Sequence, residues 1–440
     1  MERKKSYGLF TTITMIVGIV VGSGIYFRAD DIYGYTNGNL PLGLIVLALG
    51  AICIIFGSLT LAQLSKRCDD RGGLVAYFDH FLSDKMASGF GWFQLFVYIP
   101  TICAVIGWVA AIYTFMLFGY EATFLQQIGL GLVYIVILLL LNTLNRVWGG
   151  YLQNVATSLK MIPLFLIAIY GIFYAAPVTS LSVDGTTFGK EISNFSWLVA
   201  LVPLAYSYDG WTIALHIAPE VENPRVNVSK ALILSPILIL ITYLVYVFGI
   251  TKLLGAKAIL DLGDSAVFEA GKMVIGDRLG NLVLVMIVIS VLGVLNGTIL
   301  GGIRMPQALA EKKMMPGHEI GRIHPKYGVS IKSTLVLFGL ILFWMLIHYF
   351  VMQYNLFNGR DISEISIVFS YLAYILLYVQ VFKIVKVEDP GKKFLPILAI
   401  LGSLMILVGS LIASLFYVAL FLVICGLVMF VGYSYKAKRQ

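Results

Sequence analysis

The chain is written in long, unbroken apolar runs. A helix needs about 20 mostly apolar residues to cross a hydrocarbon layer of about 30 Å. Read in windows of that length, the sequence holds about twelve such runs: 8–27, 41–65, 87–118, 127–145, 150–176, 195–218, 230–254, 279–310, 331–352, 364–384, 394–413 and 416–434. They are too continuous for an outer-membrane barrel, whose strands alternate in polarity over short segments. Charged residues are 12 % and hydrophobic residues 59 % of the 440. A soluble domain carries about 25 % charged residues, so neither a soluble enzyme nor a disordered chain fits. The expected fold is an all-α polytopic membrane protein, one membrane domain over 1–440. Only Ala413, Ser414 and their neighbours separate the last two runs, and 255–278 reads as a short helix on the outer surface.

Charge sets the expected topology. Arg3, Lys4 and Lys5 precede the first run as in a signal peptide, but the run is long and no small-residue cleavage site follows, so it reads as a retained span. With a cytoplasmic N-terminus, 22 of the 31 Lys and Arg residues fall in inner segments and 7 in outer ones. That bias places both termini in the cytoplasm. The formal charge of +8 is thereby a matter of topology, and no nucleic-acid partner is expected. Lys160 and Arg304 remain, inside runs five and eight.

Two runs contain helix-weakening sequences. The first holds Gly18 and then Gly22-Ser23-Gly24. Gly18 and Gly22 form a GxxxG, which lets helices pack closely. Alternatively the glycines break the helix, and the freed N–H groups of its second half form an anion site. Irregular backbone at membrane depth survives only where it is buried or lines a cavity. The sixth run holds Tyr206-Ser207-Tyr208-Asp209-Gly210-Trp211. Asp209 is either a structural hydrogen-bonding residue or, as an intramembrane carboxylate, a functional one. Interruptions in the first and sixth runs are what two inverted repeats of five spans would give, and such matched breaks point to a midplane substrate site.

Other chemistry is thinly represented. Cys53, Cys68, Cys103 and Cys425 form no CxxC, so no disulfide framework or zinc site is indicated. The five histidines lack metal-ligand spacing. No metal or cofactor is expected. An intramembrane enzyme would have to pair Ser23 with His216, but His216 falls near the cytoplasmic end of its run and no protease signature surrounds Ser23. A channel would need a filter such as TVGYG, and Tyr33-Gly34-Tyr35 falls short of one. A carrier is the remaining class.

Several motifs in order then carry a resemblance. Gly22-Ser23-Gly24-Ile25, Arg71-Gly72-Gly73 with Tyr77, Tyr206 to Trp211 followed by Pro219-Glu220 and Asn223-Pro224, Leu295-Asn296-Gly297 with Arg304, and His324-Pro325-Lys326-Tyr327-Gly328 span about residues 6–390. Together they resemble the amino acid–polyamine–organocation transporters, most of all the L-type amino acid transporter branch and its bacterial alanine–serine–cysteine exchangers. The resemblance implies a 5+5 inverted-repeat fold with discontinuous helices one and six. The repeats would cover 8–176 and 195–384, with two further helices over 394–434.

It also implies roles. A substrate carboxylate would sit on the N–H groups of Ser23, Gly24 and Ile25 beside Gly22. Its ammonium would sit on carbonyls near Ile19, Val20, Tyr206 and Tyr208, with Ser207 between them. Tyr206 is a gate over the substrate, or one tyrosine in a packed interior. The side chain would project toward spans three, six, eight and ten, where no charged partner is evident, which favours neutral amino acids. Lys160 lies about 15 Å along its helix, near mid-depth unless the membrane begins late enough for it to snorkel. The resemblance makes it a surrogate for the sodium ion of related carriers, donating to a carbonyl near Gly18 and to Ser290. Leu9 to Phe27 contains no Asn, Gln, Asp or Glu to hold sodium. Asp209, Trp211, Asn296 and Arg304 are gating or structural candidates, Asn296 as inter-helix glue and Arg304 as a cap or snorkel. The loop at about 118–126 has no cysteine, so no disulfide-linked heavy chain is expected. The implied function is sodium-independent exchange of small neutral L-amino acids such as alanine, serine and cysteine across the plasma membrane by alternating access. The alternative is a proton-coupled amino acid symporter.

Overall fold

The computed structural model describes residues 7–27, 29–68, 73–144, 146–174, 185–212, 215, 218, 221–356 and 361–438. Regular structure among them is helical, apart from one isolated bridge between Tyr7 and Val221. The first half runs α1 (Leu9–Val20), α2 (Ser23–Phe27), α3 (Ala29–Tyr35), α4 (Leu40–Ser65), α5 (Leu74–Phe81), α6 (Asp84–Leu117), α7 (Phe124–Leu144) and α8 (Arg146–Phe173). Then follow α9 (Gly185–Ser193), α10 (Ser196–Ser207), α11 (Pro224–Leu254), α12 (Ala256–Leu262), α13 (Ala266–Ile275), α14 (Asp277–Gly302) and α15 (Arg304–Glu311). The chain closes with α16 (Ile331–Gln353), α17 (Ser363–Glu388), α18 (Phe394–Ala413) and α19 (Leu415–Ala437).

Ten helical stretches among the described residues are long and apolar enough to cross a membrane, α14 and α15 counting as one. The protein is a multi-pass helical membrane protein. Two shorter apolar helices, α1 and α10, stand where the first and sixth spans were expected. The boundary between the last two runs falls at Ser414, whose extended backbone (φ −166°, ψ 95°) separates α18 from α19. The single surface helix expected over 255–278 is two, because Gly263 takes φ +52° between α12 and α13.

Polar residues at the helix starts explain several boundaries. The Asn39 side chain accepts from Leu42 N–H at 3.0 Å, and Ser83 and Ser330 cap α6 and α16 from Met86 and Ser333 N–H, each at 3.2 Å. Such caps satisfy amides that the helix leaves unpaired. Inside α6, residues Gln94–Tyr98 form one π-turn just before Pro100. Pro100 has no N–H to give the Phe96 carbonyl; the Trp344 indole of α16 donates there instead, at 2.6 Å.

α6 is the central helix, with 72 % of its most apolar window buried; α7 and α19 have 28 % and face outward. α1 packs on α8, α11 and α14, and α14 packs on α6 and α8. At one end of the bundle, Arg67 pairs with Glu388, Lys312 with Asp79 at 2.7 Å, and Lys436 approaches Asp84 at 3.8 Å. Basic segments assigned to one membrane side therefore meet at one end.

Candidate functional site

Two helix ends meet inside the bundle. α1 stops at Val20, where Val21 turns to φ −72°, ψ 94°, and α2 resumes at Ser23. α10 stops at Ser207 and gives way to turns through 208–212, in which Gly210 takes φ +95°. Side chains with a Cβ rarely adopt that φ.

The two interruptions touch. A Cβ on Gly24 would stand 2.7 Å from the Ser207 Cα, and one on Gly210 would stand 2.7 Å from Ile19 Cγ2. The absence of side chains at these two positions sets how closely the broken segments approach. Gly18 faces Thr157 of α8 and Gly22 faces Val294 of α14, so the GxxxG packs as well as preceding a break. The two readings of that motif are not exclusive.

Tyr243 of α11, fully buried, lies between both helix ends. Its hydroxyl is 2.8 Å from the Ser207 carbonyl and 3.2 Å from the Val20 carbonyl. Carbonyls in the last turn of a helix have no partner within it, and one hydroxyl proton serves the two in turn. The ring lies 4.9 Å from that of Tyr208, whose own hydroxyl donates to Leu47 O at 3.3 Å. Of the carbonyls expected to face a substrate ammonium, those of Val20 and Tyr206 each already have one donor, the Tyr206 carbonyl from the Asp209 N–H at 3.0 Å.

Lys160 sits midway along the 28-residue α8 and is 0 % exposed. It does not snorkel: Nζ donates to the Gly18 carbonyl. The Lys160 carbonyl in turn accepts from the Tyr26 hydroxyl of α2. One residue of α8 therefore holds the chain on both sides of the first break. The expected second bond, to Ser290, is not made. The ammonium turns toward α1, and Ser290 Oγ is buried without a hydrogen-bond partner among the described residues.

A cavity opens beside the two breaks. Ile19, Val20, Gly22 and Gly24 line it from the first, and Tyr206, Asp209, Gly210 and Thr212 from the second. α6 contributes Gln94, Tyr98 and Ile102, and α14 contributes Val294, Thr298 and Gly301. The expectation of a wall without charge is corrected here. Asp209 lines the cavity, because the turn after Ser207 carries it past the helix end, and its carboxylate accepts from the Tyr98 hydroxyl.

Other expected residues lie elsewhere. Ile25 is fully buried, and Ser207 Oγ donates back to Pro203 O at 3.0 Å rather than into the cavity. Trp211 is buried edge-on against Tyr374, 6.1 Å between centroids. Asn296 accepts from Asn142 of α7 at 2.8 Å, which is inter-helix bonding, and Arg304 donates to Leu300 O at 2.8 Å, which caps α14. Arg71, Gly72, His216, Pro219, Glu220 and the Ser23 side chain lie outside the described residues. Gln94, Tyr98 and Tyr243 were missed. Their one sequence signal was polarity within apolar runs, with Gln94 and Tyr98 four apart on one helix face. No group of three His, Cys, Asp or Glu among the described residues could hold a metal.

Comparison with known proteins follows the same lines. A family model described as amino acid permease matches residues 7–435. The chain is 27 % identical over 439 residues to the serine/threonine exchanger SteT of Bacillus subtilis (strain 168), covering 98 % of this chain and 94 % of that one. It is 25 % identical to the b(0,+)-type amino acid transporter 1 of Mus musculus, over 98 % and 88 %. It is 27 % identical to the large neutral amino acids transporter small subunit 2 of Homo sapiens, over 76 % and 62 %.

Proposed function

The chain belongs to the amino acid permease family, and from that membership we propose that it exchanges small neutral L-amino acids, such as alanine, serine and cysteine, across the plasma membrane without sodium. It is a transporter and not an enzyme. The observation that carries the reading is the meeting of two interrupted helices beside one cavity. Free helix ends at membrane depth supply backbone donors and acceptors that a zwitterion needs and that intact helices withhold.

In this reading α1 with α2, and α10 with the turns after it, are spans one and six of twelve. The five-helix repeats run over 8–176 and 195–384, with two helices added over 394–434, and both termini are cytoplasmic. The substrate carboxylate accepts from the N–H groups of Ser23, Gly24 and Ile25. Its ammonium donates to carbonyls near Ile19, Val20, Tyr206 and Tyr208, each of which has two lone pairs. Tyr206, on the cavity wall, closes over it. Lys160 places its amino group against the first broken helix, where a sodium ion would otherwise be needed. A neutral side chain is favoured because the Tyr98 hydroxyl already engages the Asp209 carboxylate. Binding draws both broken helices over the cavity, and the loaded carrier reorients. No disulfide-linked heavy chain is needed for this cycle. The relative SteT is named an exchanger of serine and threonine, which is consistent with such substrates.

The test is efflux of radiolabelled alanine from proteoliposomes. Alanine, leucine, arginine, glutamate or nothing is supplied outside, with and without sodium and a pH gradient. Efflux that needs an external small neutral amino acid, and ignores sodium and pH, is the expected result. Efflux driven best by arginine would move the substrate class to cationic amino acids. Uptake that follows the proton gradient without counter-substrate would make the protein a proton-coupled symporter instead.

A further inference from the structure

Gln94 is a polar residue in an apolar helix. It is 4 % exposed and opens the π-turn of α6, a local widening frequent at functional sites. It lines the same cavity as the two helix breaks. Its Nε2 is buried and has no acceptor among the described residues. Polar groups buried away from water almost always find a partner, and an orphan calls for an explanation. Neighbouring groups on the wall are already engaged. Thr298 Oγ1 donates within its own helix to Val294 O at 3.0 Å, and Asp209 accepts from Tyr98.

We propose that the Gln94 carboxamide is a specificity-determining group, donating from Nε2 to a side-chain oxygen of the transported amino acid. The inference rests on the exchanger reading and narrows its substrate class. The favoured side chains carry a neutral acceptor: the hydroxyl of serine or threonine, or the carboxamide of asparagine. A purely aliphatic side chain, that of alanine included, leaves the amide donor unmet and is carried at a higher half-saturating concentration. An acidic side chain has the acceptor but brings a second negative charge beside Asp209, and like charges in one buried site disfavour each other.

The experiment uses wild-type proteoliposomes loaded with radiolabelled alanine. Near-isosteric pairs are supplied outside: serine against 2-aminobutyrate, threonine against valine, asparagine against leucine. The member with oxygen should half-saturate exchange at a concentration roughly three- to ten-fold lower, the worth of one neutral hydrogen bond. Equal or reversed order across the pairs overturns the proposal. In Gln94→Met, which keeps the side-chain length and removes the amide, the ratio within each pair should fall toward one, whatever the alanine rate. A ratio that persists in this variant overturns the proposal too, since the oxygen is then read elsewhere. If Gln94→Met does not reconstitute, the wild-type pairs still decide by their order. A wild-type protein that exchanges no amino acid sinks the exchanger reading, and this inference with it. That failure is distinct from exchange lacking the oxygen preference.

Discussion

Gly24→Ala tests whether the two helix breaks work as a unit. The added Cβ would stand 2.7 Å from Ser207 Cα, 2.9 Å from its Oγ and 3.1 Å from its Cβ. A rotamer change moves Oγ but leaves Cα where it is, so the clash is with backbone. Restoring an ordinary carbon–carbon contact requires the segments to separate by about 0.7 Å or more. Overpacking of this kind costs about 1–3 kcal/mol. In the exchanger reading, binding draws both segments over one small substrate, so the clash bears hardest on the loaded state. At about 1.4 kcal/mol per factor of ten, half-saturation by alanine should rise roughly 5- to 150-fold. The assay is alanine exchange in proteoliposomes, read beside the melting temperature in detergent. Gly129→Ala is the control: it lies within α7, and a Cβ there meets nothing within 4 Å. Half-saturation of the Gly24→Ala variant at the wild-type concentration would refute the claim that the contact between the breaks sets the site.

Other expectations follow from the same geometry. Lys160→Ala and Lys160→Met should both slow exchange at least about tenfold. The methionine variant keeps the apolar stem and removes the donor to the Gly18 carbonyl; wild-type exchange in either variant would reject the role. Tyr243→Phe leaves the Val20 and Ser207 carbonyls without that hydroxyl, a loss of about 1–3 kcal/mol, and exchange should fall about tenfold or more in a protein that still folds. Tyr98→Phe frees the Asp209 carboxylate, so the arginine-to-alanine uptake ratio should rise roughly ten- to a hundred-fold, the effect of one hydrogen bond to a charged group; an unchanged ratio would remove Tyr98 as the reason for neutral selectivity. At the surface, the Lys332 ammonium holds the Glu319 carboxyl below its usual range. Its contribution is present above the ordinary carboxylate range and lost as pH falls through the lowered value. Because the pair is exposed, Glu319→Gln should shift the melting temperature by less than about 2 °C.

What was legible in the sequence depended on the range of the interaction. A span is a local property: twenty apolar residues must cross a bilayer whatever surrounds them, so the runs over 41–65 or 331–352 map directly onto α4 and α16. The breaks were legible for the same reason, because Gly22-Ser23-Gly24 and Asp209-Gly210 weaken helices through their own backbones and side chains. The pairing of Lys160 with Gly18 followed once a resemblance supplied the partner. What stayed hidden was which side chains cross between helices. Nothing in the run holding Tyr243 says that its hydroxyl reaches the carbonyls of Val20 and Ser207, far away in sequence. Nothing near Ser290 says that the ammonium turns away from it. Asp209 was visible, but its neighbour Tyr98 was one tyrosine among 25. The consequence is a division of labour in the site. Glycines, read locally, create the free backbone ends. Tyrosines from other helices, fixed only by packing, decide which of those ends remain open to a substrate. A change of substrate in this fold should therefore come from α6 and α11 sooner than from the broken segments themselves.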